Sequence, residues 1–161
     1  MTAATGPLPF FVYGTLRPGE SNHAHFLHGR TAAEEPGRLL GAALYEGPGY
    51  PYAVPGEGEV VGELVTATPE AYGELLSALD LLEECRSPGH PRNLYEREVR
   101  EVLRGDGRPV RAWVYVAAPR VARGLRASGT PIHGGDWLDR TGGTGSAGAL
   151  SPRDRSVPRT P

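Results

Sequence analysis

One stretch of this chain, residues 69–84, carries a clear helical pattern, and the apolar runs on either side of it are short and β-prone. Tyr72, Leu75, Leu76, Leu79 and Leu82 form a single apolar stripe along it. Thr68 is placed to cap its start, and Pro69 suits a first turn, where a missing N–H is no loss. The strand-like runs are residues 10–13, 38–45, 60–66, 95–103 and 110–116. The last two are separated by Gly105-Asp106-Gly107, a hairpin signal. Residues 22–29 mix loop and helix signals, residues 47–58 are dense in glycine and proline, and residues 87–93 read as a loop. One strong helix among several strands predicts an α+β domain built on a small curved sheet or barrel.

The 161 residues leave room for one domain with one modest core, placed at residues 1–140. From residue 141 the composition turns to Gly, Ser, Thr, Pro and Arg with almost no large apolar side chain, so residues 141–161 read as a disordered tail. A net charge of −2 with scattered basic residues gives no reason to expect nucleic acid or an anionic membrane as partner. The opening residues carry no cationic, apolar leader, and the run 8–12 is too short to span a membrane, so the expected location is cytoplasmic. All 17 basic residues are arginine. The absence of lysine excludes Schiff-base chemistry, the usual pyridoxal-phosphate chemistry and the P-loop nucleotide site, each of which uses a lysine amine.

Helical phase singles out one carboxylate. At roughly 100° per residue, Glu83 falls on the line of Tyr72, Leu76 and Leu79, while Glu84 lies about a quarter-turn away and Asp80 sits at the edge of the stripe. A carboxyl group on the core side of a helix end is partly desolvated, which raises its pKa toward the range useful for proton transfer near neutrality. The competing reading of the pattern is a frayed end from which Glu83 bends out to water. A second feature is the strand-to-loop turn Val12-Tyr13-Gly14-Thr15-Leu16-Arg17. A glycine turn can present successive backbone N–H groups to an anion, or it can be an ordinary loop.

Other constellations carry less. His23, His25 and His28 are close together but lack a coherent ligand set with His90 and His133 far off, so no metal is expected. No serine sits in a nucleophile elbow. Cys85 follows two glutamates, which disfavours a thiolate, and no second cysteine exists to pair with it. Tyr95 and Arg97 alternate onto one strand face with Val99, as Trp113 and Tyr115 do in the next. An inward-facing Arg97 needs an anionic partner, which the pattern leaves as either a substrate or a structural carboxylate.

Taken in order, Val12-Tyr13-Gly14-Thr15-Leu16, Gly49-Tyr50-Pro51, Val61-Gly62-Glu63-Leu64, Leu79-Asp80-Leu81-Leu82-Glu83, Tyr95-Glu96-Arg97, Trp113-Val114-Tyr115 and Gly134-Gly135-Asp136-Trp137 resemble the γ-glutamylcyclotransferase-like family. The resemblance spans roughly residues 9–139 and is strongest to the branch of the γ-glutamylamine cyclotransferases and antibiotic-biosynthesis γ-glutamyl cyclotransferases. It implies a small mixed β-barrel with flanking helices. It implies that Tyr13, Gly14, Thr15 and Leu16 form a substrate-binding loop and that Glu83 is the catalytic acid/base, with Tyr50 and Tyr115 as further cavity residues. The reaction implied is closure of a γ-glutamyl amide to 5-oxoproline with release of a free amine, without metal or organic cofactor. Two departures stand out: Glu84 follows the catalytic position, where the family often has glycine, and residues 85–93 are longer than in compact members. A non-catalytic small-molecule binding module on the same fold, or an interaction protein using its tail, are the alternatives.

Overall fold

In a computed structural model, residues 7–139 are described. The expectation of a disordered tail at 141–161 lies outside the described residues. The strands are β1 (Phe10–Val12), β2 (Thr31–Glu46), β3 (Pro51–Ala67), β4 (Tyr95–Arg104) and β5 (Pro109–Ala117). They close into a barrel in the order β1-β3-β2-β4-β5. All pairings are antiparallel except β1 with β5, which is parallel, so the barrel is mixed as expected. Two helices flank it, α1 (Tyr72–Leu82) and α2 (Pro119–Ser128), with a π-turn at His23–Leu27 and a 3₁₀ turn at Trp137–Asp139.

Strand alternation sorts the apolar residues into two clusters. Phe11, Leu39, Leu44, Val60, Leu64, Val102, Val114 and Val116 are buried in one, and since all five strands contribute it is the barrel interior. Phe10, Val12, Val54 and Val65 belong to the other, which α1 covers with Leu75, Leu79 and Leu82. The stripe read from the sequence is therefore what seats α1 on the barrel wall.

Several boundaries differ from the sequence reading. β2 begins at Thr31, seven residues before the strand run read at 38–45. The glycine- and proline-rich stretch 47–58 is not wholly loop, because β3 already begins at Pro51. Ala42 pairs with Pro55 and Leu40 with Glu59, so three residues of β3 bulge opposite Gly41 alone. Gly41 (φ +78°) and Gly58 (φ +131°) supply the left-handed backbone this requires. The helix is also shorter than residues 69–84. Thr68 closes a turn before it, accepting from the Ala71 N–H through its carbonyl (3.1 Å) and its Oγ1 (3.3 Å), and α1 starts at Tyr72. At the other end it stops at Leu82. Helix α2 had no counterpart in the apolar pattern: its sequence is arginine-rich, and of its side chains only Ala122 is fully buried.

Candidate active site

Helix α1 ends in a Schellman motif. The Cys85 N–H donates to the Asp80 carbonyl at 2.9 Å and the Glu84 N–H to the Leu81 carbonyl at 3.1 Å. Glu84 takes the left-handed conformation, with φ +53°. Cys85 is buried in the same apolar cluster as Leu79, in keeping with the hydrophobic contact that accompanies such a cap. Burial raises the Cys85 thiol above its ordinary pKa, which fits a packing residue rather than a reactive one. Glu83 is thus the helix-capping residue, fixed between two hydrogen-bonded turns rather than frayed.

The structure gathers the sequence-nominated residues around one pocket. Tyr13, Gly14, Thr15, Leu16, Tyr50, Tyr115 and Glu83 all line a solvent-connected space of about 480 Å³, together with Asn22, Pro51, Leu82 and Tyr95. Glu84 is not among the lining residues.

The loop after β1 is held from several sides. The Arg17 N–H donates to the Gly14 carbonyl at 3.1 Å, and the Asn22 N–H to the Thr15 carbonyl at 3.1 Å. Asn22, itself buried, also donates from its side-chain amide to Thr15 Oγ1 at 2.8 Å. The buried Arg17 guanidinium reaches Glu63 on β3 at 2.8 Å and Asp136 at 2.7 Å. With its carbonyls so occupied, the loop leaves its donors over: among the described residues the N–H groups of Gly14, Thr15 and Leu16 have no acceptor. Buried backbone N–H groups are nearly always paired, so a run of such donors on residues that line a pocket is suited to an anionic or carbonyl oxygen.

The tyrosines divide by function. The Tyr13 hydroxyl donates to the Tyr115 carbonyl at 2.5 Å and accepts from the Ala53 N–H at 3.1 Å. It is committed to the barrel wall, so Tyr13 serves the pocket through position rather than through its phenol. Burial pushes its pKa well up, and the Glu83 charge adds to this. Tyr115 points its hydroxyl at Asp80 Oδ1, 2.6 Å away. Its pKa is raised by burial first, then by the Asp80 hydrogen bond and charge, then by Glu83. Glu83 therefore lies within electrostatic reach of both phenols. Arg97 finds its anion in Asp80, a structural carboxylate, through Nε at 2.7 Å and Nη2 at 3.2 Å. Tyr50 packs edge-on to Tyr52 at 5.7 Å, and the Tyr95 hydroxyl donates to the Pro51 carbonyl at 2.6 Å.

Sequence reasoning passed over Arg17, Asn22 and Tyr95. Arg17 and Tyr95 lay within quoted motifs, but only tertiary folding reveals that Arg17 joins Glu63 to Asp136. Asn22 carries no local signal. The histidines are dispersed in use, His23 pairing with Glu34 at 2.8 Å. Among the described residues no group of three or more His, Cys, Asp or Glu side chains is gathered so as to hold a metal ion, and no helix is long and apolar enough to cross a membrane.

The family model described as gamma-glutamyl cyclotransferase, AIG2-like, matches residues 10–139. The chain belongs to this family. It is 36% identical over 106 residues to the γ-L-glutamyl-butirosin B γ-glutamyl cyclotransferase of Niallia circulans, covering 66% of this chain and 64% of that protein. A Vibrio cholerae protein named provisionally as a γ-glutamylcyclotransferase is 31% identical over 137 residues, 81% of this chain and 95% of that one. Among solved structures, a mouse AIG2-like protein shares 27% identity at a TM-score of 0.51, covering 70% of this chain and 80% of that chain. An uncharacterised Pyrococcus horikoshii protein, 23% identical, shares the fold at a TM-score of 0.53, with 82% and 91% covered. Within the γ-glutamyl cyclotransferase, AIG2-like family, then, this member lines one pocket with a glutamate at a capped helix end and with a loop whose N–H groups have no acceptor among the described residues.

Proposed function

We propose that the protein is a γ-glutamyl cyclotransferase that releases 5-oxoproline and a free amine from a γ-glutamyl amide, with Glu83 moving the protons. What carries the reading is the shared pocket of Glu83 and the Gly14, Thr15 and Leu16 N–H groups. A γ-glutamyl amide holds its own nucleophile, since its α-nitrogen can reach the γ-carbonyl and close a five-membered ring. Such intramolecular reactions need orientation above all, and effective molarities reach ~10⁵–10⁸ M when the ends are well held.

The loop N–H groups bind substrate carboxylate or carbonyl oxygens and fold the chain back. Glu83 takes a proton from the α-ammonium, and the freed nitrogen pair attacks the γ-carbonyl carbon. Collapse of the tetrahedral intermediate breaks the bond to the departing amine. The two protons lost by the α-nitrogen match the two gained by the departing amine, so one carboxyl group can accept and return each in turn. The pocket is lined by aromatic and aliphatic side chains that suit a short substrate chain.

The test is incubation with a panel of γ-glutamyl amines, reading 5-oxoproline by mass spectrometry. Wild type releases it. Glu83→Gln keeps size and hydrogen-bonding reach but loses the titrating proton, so its rate falls by about 10²–10⁴-fold. Glu84→Gln, outside the pocket, stays within about threefold of wild type. An active Glu83→Gln beside a dead Glu84→Gln sinks the assignment. Binding without release by wild type would favour a non-catalytic module instead.

A further inference from the structure

We infer that Tyr115 is the acceptor that orients the substrate's α-amine, and that Asp80 makes it one. The inference rests on the reading of the pocket as a γ-glutamyl site. A carboxylate only accepts hydrogen bonds, so the 2.6 Å contact between Tyr115 Oη and Asp80 Oδ1 must use the phenolic proton. Asp80 cannot easily turn away, because Arg97 grips it at 2.7 Å and 3.2 Å. Arg97 is held in its turn, 4.3 Å over the Trp113 ring, and Trp113 Nε1 donates to Tyr72 Oη at 2.9 Å. With its proton directed at Asp80, the Tyr115 hydroxyl has only lone pairs to offer a ligand. Tyr115 lines the pocket that Glu83 also lines.

The group of a γ-glutamyl amide that needs an acceptor there is the α-ammonium. Its carboxylate and γ-carbonyl are acceptors and belong with the loop N–H groups. Three protons surround the ammonium nitrogen. Glu83 removes one, and a second held by Tyr115 fixes the direction of the emerging lone pair toward the γ-carbonyl. Tyr115 exchanges no proton in this step; its burial and the neighbouring carboxylates keep it protonated. Asp80 touches no substrate and is a positioning residue for Tyr115.

The α-amine provides the test. N-ethyl γ-glutamyl amide and N-ethylglutaramic acid differ only in that amine. Their dissociation constants are measured by calorimetry on Glu83→Gln, whose turnover is slowed by about 10²–10⁴-fold, and on the double variant Glu83→Gln/Tyr115→Phe. Loss of a hydrogen bond to a charged group weakens the amine-bearing ligand by about 10- to 100-fold, while the glutaramic acid binds both proteins equally. A merely structural Tyr115 would weaken both ligands alike, and that result overturns the inference while leaving wild-type release of 5-oxoproline intact. Should wild type release none and Glu83→Gln bind neither ligand, the functional reading and the inference fall together. Tyr115→Phe alone gives a check that does not depend on Glu83→Gln folding: KM for the ethyl amide rises about tenfold or more, and an unchanged KM and kcat also overturn the inference.

Discussion

At Glu84 the backbone is left-handed, with φ +53°, a conformation that a residue with a Cβ adopts at a cost of about 1–2 kcal/mol. The resemblance read from the sequence implies glycine at this position, and the Schellman motif supplies a reason for one: the residue after the helix-capping one must turn left to direct two N–H groups back into the helix. Glycine does this without the steric penalty, at the price of a more flexible unfolded chain. The net expectation is that Glu84→Gly stabilises the protein by about 0.5–1 kcal/mol, a melting-temperature rise of roughly 1–4 °C. Because Glu83 keeps its place, kcat should not change. A lower melting temperature would show that the Glu84 side chain contributes more than its backbone strain removes. The choice between Glu83 and Glu84 was legible in the sequence because Tyr72, Leu76 and Leu79 fix the helix phase. The left-handed turn that anchors Glu83 was not, since no glycine announces it.

The loop that follows β1 depends on a close approach between elements. A Cβ built on Gly14 would lie 2.7 Å from Pro51 Cδ and 2.8 Å from its Cγ, at the start of β3. The requirement for glycine is therefore steric contact with a stiff ring and not a left-handed φ. Gly14→Ala should push the loop off β3 and misplace the Gly14, Thr15 and Leu16 N–H groups by a few tenths of an ångström or more. Displacements of about 1 Å can lose ~10²-fold in well-oriented reactions, so KM should rise by about tenfold or more while the domain stays folded, as circular dichroism would check. Wild-type kinetics in Gly14→Ala would separate this loop from the substrate. The sequence located this turn from Gly14 and the strand before it, but Pro51 is remote in the chain and its role could not be seen. The same distance hid Arg17 between Glu63 and Asp136, and the bulge at Gly41 and Gly58 disguised the first half of β3 as a loop. Local patterns reported strands and the helix phase; what they could not report was which elements lie against each other.

Closure of the barrel brings the two sides of the pocket together, and Tyr13 sits at that closure. β1 is only three residues long, yet it joins β3 to β5, and the Tyr13 hydroxyl bridges the same two strands through the Ala53 N–H and the Tyr115 carbonyl. Both Tyr13 and Tyr115 hold their protons to higher pH than an exposed tyrosine, burial being the first cause in each. In the unfolded chain they ionise near pH ~10. The unfolded state thus releases its protons first, and stability contributed by these groups is intact below about pH 10 and falls as the pH rises toward their folded values. Each group adds a slope of about 1.4 kcal/mol per pH unit in that window. Tyr13→Phe removes one of them and leaves the Ala53 N–H and Tyr115 carbonyl without this partner. Urea unfolding at pH 7 should show a loss of about 1–3 kcal/mol. Between pH 10 and pH 11 the decline of stability should be shallower than in wild type by about one group's slope. The burial-raised Cys85 thiol titrates alike in both proteins and cancels from the comparison. Parallel declines in the two proteins would mean that Tyr13 ionises in the folded barrel as readily as in water, and that its hydroxyl does not close the structure.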